Sequence, residues 1–181
     1  SRAARYAVDG GLYFCSAGNR GQDARQYEWS DPDNDGWLNF DGGDELLQMT
    51  IAGPSGNPPS NNSTNLEVQW SEPWGSASTD LDVYIYDTNS NQLARTNDDD
   101  RGGNPRERMN YTNSTGAQQT VNVAVREANG SADGLTVKLV SFDGAASFQE
   151  YPEDFAGVIN GSAGAEQIFA IAAAPFFSRN S

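Results

Sequence analysis

Short runs of apolar and aromatic residues recur along the middle of the chain, separated by segments rich in Gly, Pro, Asn, Asp and Ser. Residues 46–51, 66–70 and 81–86 are such runs, and residues 120–126 and 135–140 alternate apolar and polar positions with period two. That period sets Val121, Val123 and Val125 on one face of a strand, and Leu135, Val137 and Leu139 on one face of another. Turn formers at 53–59, 87–91, 113–116 and 129–134 punctuate the runs. Strands at this spacing, with no helical pattern of 10–15 residues between them, predict a mainly β protein: an antiparallel β-sandwich, jelly-roll-like. Trp70 continues the face of Leu66 and Val68 and is expected in its core.

The two ends follow a different pattern. Residues 2–9 are alanine-rich and read as the last turns of a helix, with Gly10-Gly11 as its stop. Residues 12–17 then form an unbroken apolar run, the type for a strand buried on both faces of a parallel sheet. Residues 167–174 form another apolar stretch, ended by Pro175, whose alanines suit helix and buried strand alike. The organisation predicted is a framing α/β piece at 1–21, a β-sandwich at 22–154 and a second framing piece at 155–181.

Composition narrows the chemistry. The 181 residues include 25 Asp and Glu, 11 Lys and Arg and no histidine, for a net charge of −14. Without histidine the chain holds no Ser-His-Asp or Cys-His apparatus and no His-ligated metal. Its one cysteine, Cys15, forms no internal disulfide and no Cys-based zinc site. The negative charge argues against nucleic acid and anionic lipid as partners. No run approaches the roughly 20 apolar residues of a membrane-spanning helix.

The charge is concentrated. Residues 23–45 carry eight acids against Arg25 alone, and residues 80–100 carry six against Arg95 alone, which accounts for 12 of the 14 excess negative charges. Two foci in a nearly balanced chain suggest cation sites, where solvated acidic turns are the plainer alternative. Asp31-Pro32-Asp33-Asn34-Asp35-Gly36 matches the first half of a calcium loop: alternate acids converge on a tight turn, and glycine allows the bend. An EF-hand would need Glu at the twelfth position, where Gly42 stands, so Asp41, Asp44 or a carbonyl near Trp37 is expected to complete the shell. In the second focus Asp80 and Asp82 share a strand face, and the loop Asp98-Asp99-Asp100 is expected to close over them, with Arg101, Arg106 and Arg108 as neutralising neighbours in the plainer reading. Ca2+ in a structural role is the cofactor expected, in keeping with a secreted, extracellular protein. Of the four tryptophans, Trp74, at a strand end, is the candidate for a ligand-binding rim.

The segment 3–21, which contains Ala17-Gly18-Asn19-Arg20-Gly21 after an apolar strand, resembles the helix–strand–turn of subtilisin-like serine peptidases. Residues 157–175 resemble the next core segment of that fold, although Ala172-Ala173-Ala174 departs from the family's Val-Gly-Ala ending. The resemblance implies that Asn19 donates its side-chain amide to the oxyanion of the tetrahedral intermediate. The family's Asp, His and Ser motifs are missing, so proteolysis would belong to a parent peptidase and not to this chain. Ser78-Thr79-Asp80-Leu81-Asp82-Val83-Tyr84-Ile85-Tyr86-Asp87, followed by an Asn-rich turn and three acids, resembles bacterial pre-peptidase C-terminal and collagen-binding-type sandwiches. Together these imply a calcium-stabilised β-sandwich inserted in a secreted subtilisin-like endopeptidase. Its partners would be the remainder of that peptidase and a protein substrate or extracellular polymer. A freestanding calcium-dependent carbohydrate- or protein-binding module is the alternative.

Overall fold

The computed structural model describes residues 24–55, 62–142 and 145–150 in full, together with the backbone of Phe14–Ser16 and Phe169–Ile171. Eleven strands follow one another: β1 (Phe14–Ser16), β2 (Ala24–Glu28), β3 (Leu47–Ile51), β4 (Ser63–Trp70), β5 (Asp80–Asp87), β6 (Gln92–Arg95), β7 (Arg106–Thr112), β8 (Gln119–Asn129), β9 (Thr136–Ser141), β10 (Ala146–Phe148) and β11 (Phe169–Ile171). There is no helix among the described residues. The framing helix read at residues 2–9 lies outside them.

Two antiparallel sheets pack face to face as a β-sandwich. One has the order β10-β3-β8-β5-β6 and the other β2-β9-β4-β7. Alternation builds the core between them. Leu47, Met49 and Ile51, Leu81, Val83 and Ile85, and Val121, Val123 and Val125 point inward from the first sheet. Leu66, Val68 and Trp70, Met109, and Val137 and Leu139 meet them from the second. Each such side chain, buried in full, stabilises the fold by about 1.5–3 kcal/mol. Trp70 occupies the expected core position at 4% exposure, and its indole N–H donates to Glu72 Oε2 at 2.9 Å.

Four strands are weak in the sequence pattern. β6 is an exposed edge strand of sequence Gln-Leu-Ala-Arg, so one-sided burial leaves no apolar stripe. β7 alternates, but its inward positions are Glu107 and Met109, and a glutamate breaks the apolar reading. β2 and β10 are short and find their place only by pairing with β9 and β3. The turn at 87–91 closes the β5–β6 hairpin, where Asp87 Oδ1 accepts the N–H of Asn89 and of Asn91, both at 2.8 Å.

A separate two-stranded sheet pairs β1 with β11 in parallel, Phe14 opposite Phe169 and Ser16 opposite Ile171. The stretch that suited helix and strand alike is therefore a strand over Phe169–Ile171. The start and finish of the sandwich also meet. Arg25, on β2, donates from Nη2 to Phe148 O at 3.3 Å and from Nε to Glu150 O at 3.2 Å, and its guanidinium lies 5.4 Å from the centre of the Phe148 ring.

Candidate metal centres

The first acidic focus is a tight loop ahead of β3. Asp31 turns back on the chain, accepting the N–H of Asp35 on Oδ1 at 3.2 Å and that of Gly36 on Oδ2 at 2.9 Å. Asp35 Oδ1 accepts the N–H of Trp37 at 3.1 Å. The bend uses the left-handed region at Asn34 (φ 61°) and Gly36 (φ 89°), residue types that tolerate it. Asp31, Asp33 and Asp35 thereby bring one carboxylate oxygen each within 4.8 Å of one another. Two oxygens on opposite sides of a calcium ion, at about 2.4 Å each, stand about 4.8 Å apart, so one ion can touch all three.

Asp41 and Asp44 do not join that trio. They form a small turn of their own, with Asp44 N–H donating to Asp41 O at 2.9 Å and Asp44 Oδ1 accepting from Leu46 N–H at 3.0 Å. Glu45, which sequence reasoning passed over, sits nearer. Partial burial, then the charges of Asp35, Asp33 and Asp31, hold its carboxyl above the usual range.

The second focus is more deeply built. Asp80 and Asp82 come from β5 of the five-stranded sheet and Glu107 from β7 of the four-stranded sheet, and their oxygens also lie within 4.8 Å of one another. Asp80 and Glu107 are each only 4% exposed. A register shift between Asp80 and Leu81 opens the end of β5 at this point. Asp100, on the β6–β7 connection, stands beside the group, its backbone N–H donating to Asp80 Oδ1 at 3.2 Å. Asn129 Nδ2 reaches Asp80 Oδ2 at 3.4 Å, and the Tyr84 hydroxyl reaches Asp82 Oδ2 at 3.3 Å.

The acids of the 98–100 loop divide. Asp99, expected as a ligand, faces solvent and pairs with Arg101 at 2.9 and 2.8 Å, and that guanidinium holds it down to about 2. Asp98 is exposed, close enough for its charge to act on Asp100 and Glu107. Asp100 is the acid that turns inward. Sequence reasoning omitted Glu107 from the site because it lies on a strand of the opposite sheet. The signal available was an acid at an inward position of an alternating segment.

The neighbouring arginines are engaged elsewhere. Arg101 pairs with Asp99, Arg108 with Glu67 at 2.7 Å, and Arg106 lies 5.8 Å from the centre of the exposed Trp74 ring. Among the described residues no ion pair reaches Asp80, Asp82, Asp100 or Glu107. Burial, reinforced by the Asp100 and Asp98 charges, pushes the Glu107 carboxyl up to about 8. Burial and the Asp80 charge raise Asp82, and burial with Asp80 and Asp98 raises Asp100. Glu107 Oε1 and Asp100 Oδ2 are buried with no hydrogen-bond partner.

Magnitudes decide what such a cluster requires. Two ionised carboxylates just under 5 Å apart repel by about 3–4 kcal/mol even at an effective dielectric of about 20. Several such pairs approach the roughly 5–15 kcal/mol that holds a whole domain folded. The cluster must therefore keep protons or hold a cation. Its donors are all oxygens, it has orphaned lone pairs aimed inward, and its spacing matches a hard ion; these features fit calcium.

Trp74 is 57% exposed on the loop after β4, as a rim residue would be. Asn19 lies outside the described residues. No family model matches the sequence, and no curated protein matches it significantly.

Proposed function

We propose that this chain is a calcium-stabilised β-sandwich inserted in a secreted subtilisin-like serine endopeptidase, where it governs substrate access or attachment while the parent performs proteolysis. The observation that carries the calcium reading is the trio Asp80, Asp82 and Glu107, whose carboxylate oxygens lie within 4.8 Å of one another, beside the buried and unpartnered Glu107 Oε1 and Asp100 Oδ2. An ion there joins β5 of one sheet to β7 of the other, so its binding free energy becomes folding free energy. Asp31, Asp33 and Asp35 supply a second, more exposed site of the same chemistry. Calcium contributes charge neutralisation in both places, and the protein supplies oxygens, spacing and the dry wall around Glu107.

Insertion is supported by chain geometry. Domains are inserted readily when their own ends lie together, and Arg25 binds the backbone at Phe148 and Glu150. The flanking strands β1 and β11 are parallel neighbours although some 150 residues separate them. The reading frame around the coding segment tests the parent: Asp- and His-bearing motifs upstream and a Ser motif downstream are expected. A signal peptide directly before Ser1 and a stop after Ser181 would instead favour the freestanding binding module. Calorimetric titration of the EDTA-treated chain with CaCl2 tests the metal, and absence of any heat or thermal shift at millimolar calcium overturns it.

A further inference from the structure

A cleft of about 160 Å³ opens on the outer face of the five-stranded sheet, lined by Trp37, Glu45, Leu46, Tyr86, Ser90 and Ala124. A space of about 150 Å³ holds a single ring-sized group, so one side chain fills this cleft. Ala124 of β8 forms its floor and the Tyr86 ring of β5 one wall, in line with Tyr84, which stacks on Tyr86 at 6.1 Å. The Trp37 ring meets Tyr84 edge-on at 5.1 Å, and the backbone N–H of Trp37 donates to Asp35 Oδ1. Leu46 is exposed beside it.

The geometry points to this cleft as a receptor for one lysine or arginine side chain presented by a polypeptide. The aromatic walls offer the electron-rich faces that attract cations. Trp37 already serves a cation on its ring, with the Arg126 guanidinium 5.6 Å from its centre. At the rim, the Glu45 carboxylate makes no hydrogen bond or ion pair with any described residue, and so awaits a positive partner. The charges of Asp31, Asp33, Asp35 and Asp44 act on Glu45, and this local negative field draws basic segments toward the cleft. A neutral sugar would leave the Glu45 charge without a positive partner. The cleft adjoins the Asp31, Asp33 and Asp35 loop, whose charges act on Glu45, so calcium bound in that loop weakens the attraction without removing the aromatic walls or Glu45.

Titration of the isotope-labelled full chain with an end-blocked Gly-Gly-Lys-Gly-Gly peptide, followed by amide and indole NMR shifts, tests it. Saturable shifts are expected at the Trp37 indole, Leu46 and Ser90, with the norleucine peptide binding at least tenfold more weakly. Glu45→Gln is expected to weaken the lysine peptide at least threefold and Trp37→Leu at least tenfold, each variant retaining the dispersed spectrum of the folded chain. Should Trp37→Leu fail to fold, Tyr86→Leu serves in its place with the same expectation. The exposed Asp133→Asn, on the far β8–β9 turn, is expected to change nothing. Equal losses from Asp133→Asn and Glu45→Gln, equal binding of norleucine, no shifts at several millimolar peptide, or groove shifts with cellotetraose and none with the lysine peptide would each overturn the inference.

Discussion

Glu107 and Asp80 bring carboxylate oxygens within 4.8 Å of each other from opposite sheets of the sandwich, each side chain only 4% exposed. Among the described residues no ion pair reaches either of them. This pair is the point at which the two layers carry like charge against each other, and it couples the fold to whatever neutralises it.

Calcium should raise the thermal midpoint of the chain. With free calcium at about 100 times its dissociation constant, stabilisation is about 2.7 kcal/mol, or roughly 5–10 °C for a domain of this size. Thermal melts with CaCl2 and with EDTA check this, and superimposed melts would refute a structural ion.

Glu107→Gln should act in two directions. Removing one buried charge relieves repulsion in the metal-free protein, so its midpoint in EDTA at pH 8.5 rises by a few degrees above wild type. The calcium-induced rise shrinks to less than half, because a ligand charge is lost. A variant less stable than wild type under both conditions would show that Glu107 acts only through packing.

The metal-free protein should lose stability as pH rises. Glu107 goes from an ordinary 4.5 to about 8 in the folded chain, so between these values the folded state binds more protons than the unfolded state. The slope of stability with pH is then negative across that window, and above about 8 the full repulsion is present. Melts in EDTA from pH 5 to 9 should fall for wild type and stay flatter for Glu107→Gln. Parallel curves for the two proteins contradict the assignment.

Asp99→Asn should leave calcium affinity within about twofold of wild type, since Asp99 faces Arg101 and solvent. Asp100→Asn should weaken it at least tenfold, because its Oδ2 is buried without a partner. Isothermal titration of the two variants separates neighbours that the sequence presents as equivalent. Equal losses would mean that the loop rearranges on binding.

Gly130→Ala should cost about 2–4 kcal/mol, combining a left-handed backbone with overpacking. Gly130 has φ 91°, and a Cβ there would stand 2.7 Å from Ser78 O and 2.9 Å from Thr79 Cα. That close approach seats the start of β5, and with it Asp80. Chemical denaturation measures the loss, and an unchanged midpoint means the loop yields freely.

Much of the sandwich was legible from alternation alone. Residues 120–126 sit within β8, 136–140 of the second alternating run sit within β9, and the turn chemistry at 87–91 marks the β5–β6 hairpin. The convergence of Asp31, Asp33 and Asp35 was legible because acids close in sequence on a tight turn are drawn together by local hydrogen bonds. β6 was not, because an exposed edge has no apolar face to show. Asp41 and Asp44 form a turn of their own outside the group of converging oxygens, and Asp99 pairs with Arg101.

By itself the sequence determined a β-rich chain without histidine chemistry, its negative charge gathered in two places. Those properties depend on composition and on periods of two residues, which are local. The tertiary structure decided which acids share a site. Glu107 joins Asp80 and Asp82 only because β7, 25 or more residues further on, lies at the edge of the second sheet opposite β5. The charge of a carboxylate is written in one residue, but the desolvation and repulsion it meets depend on neighbours that only packing supplies.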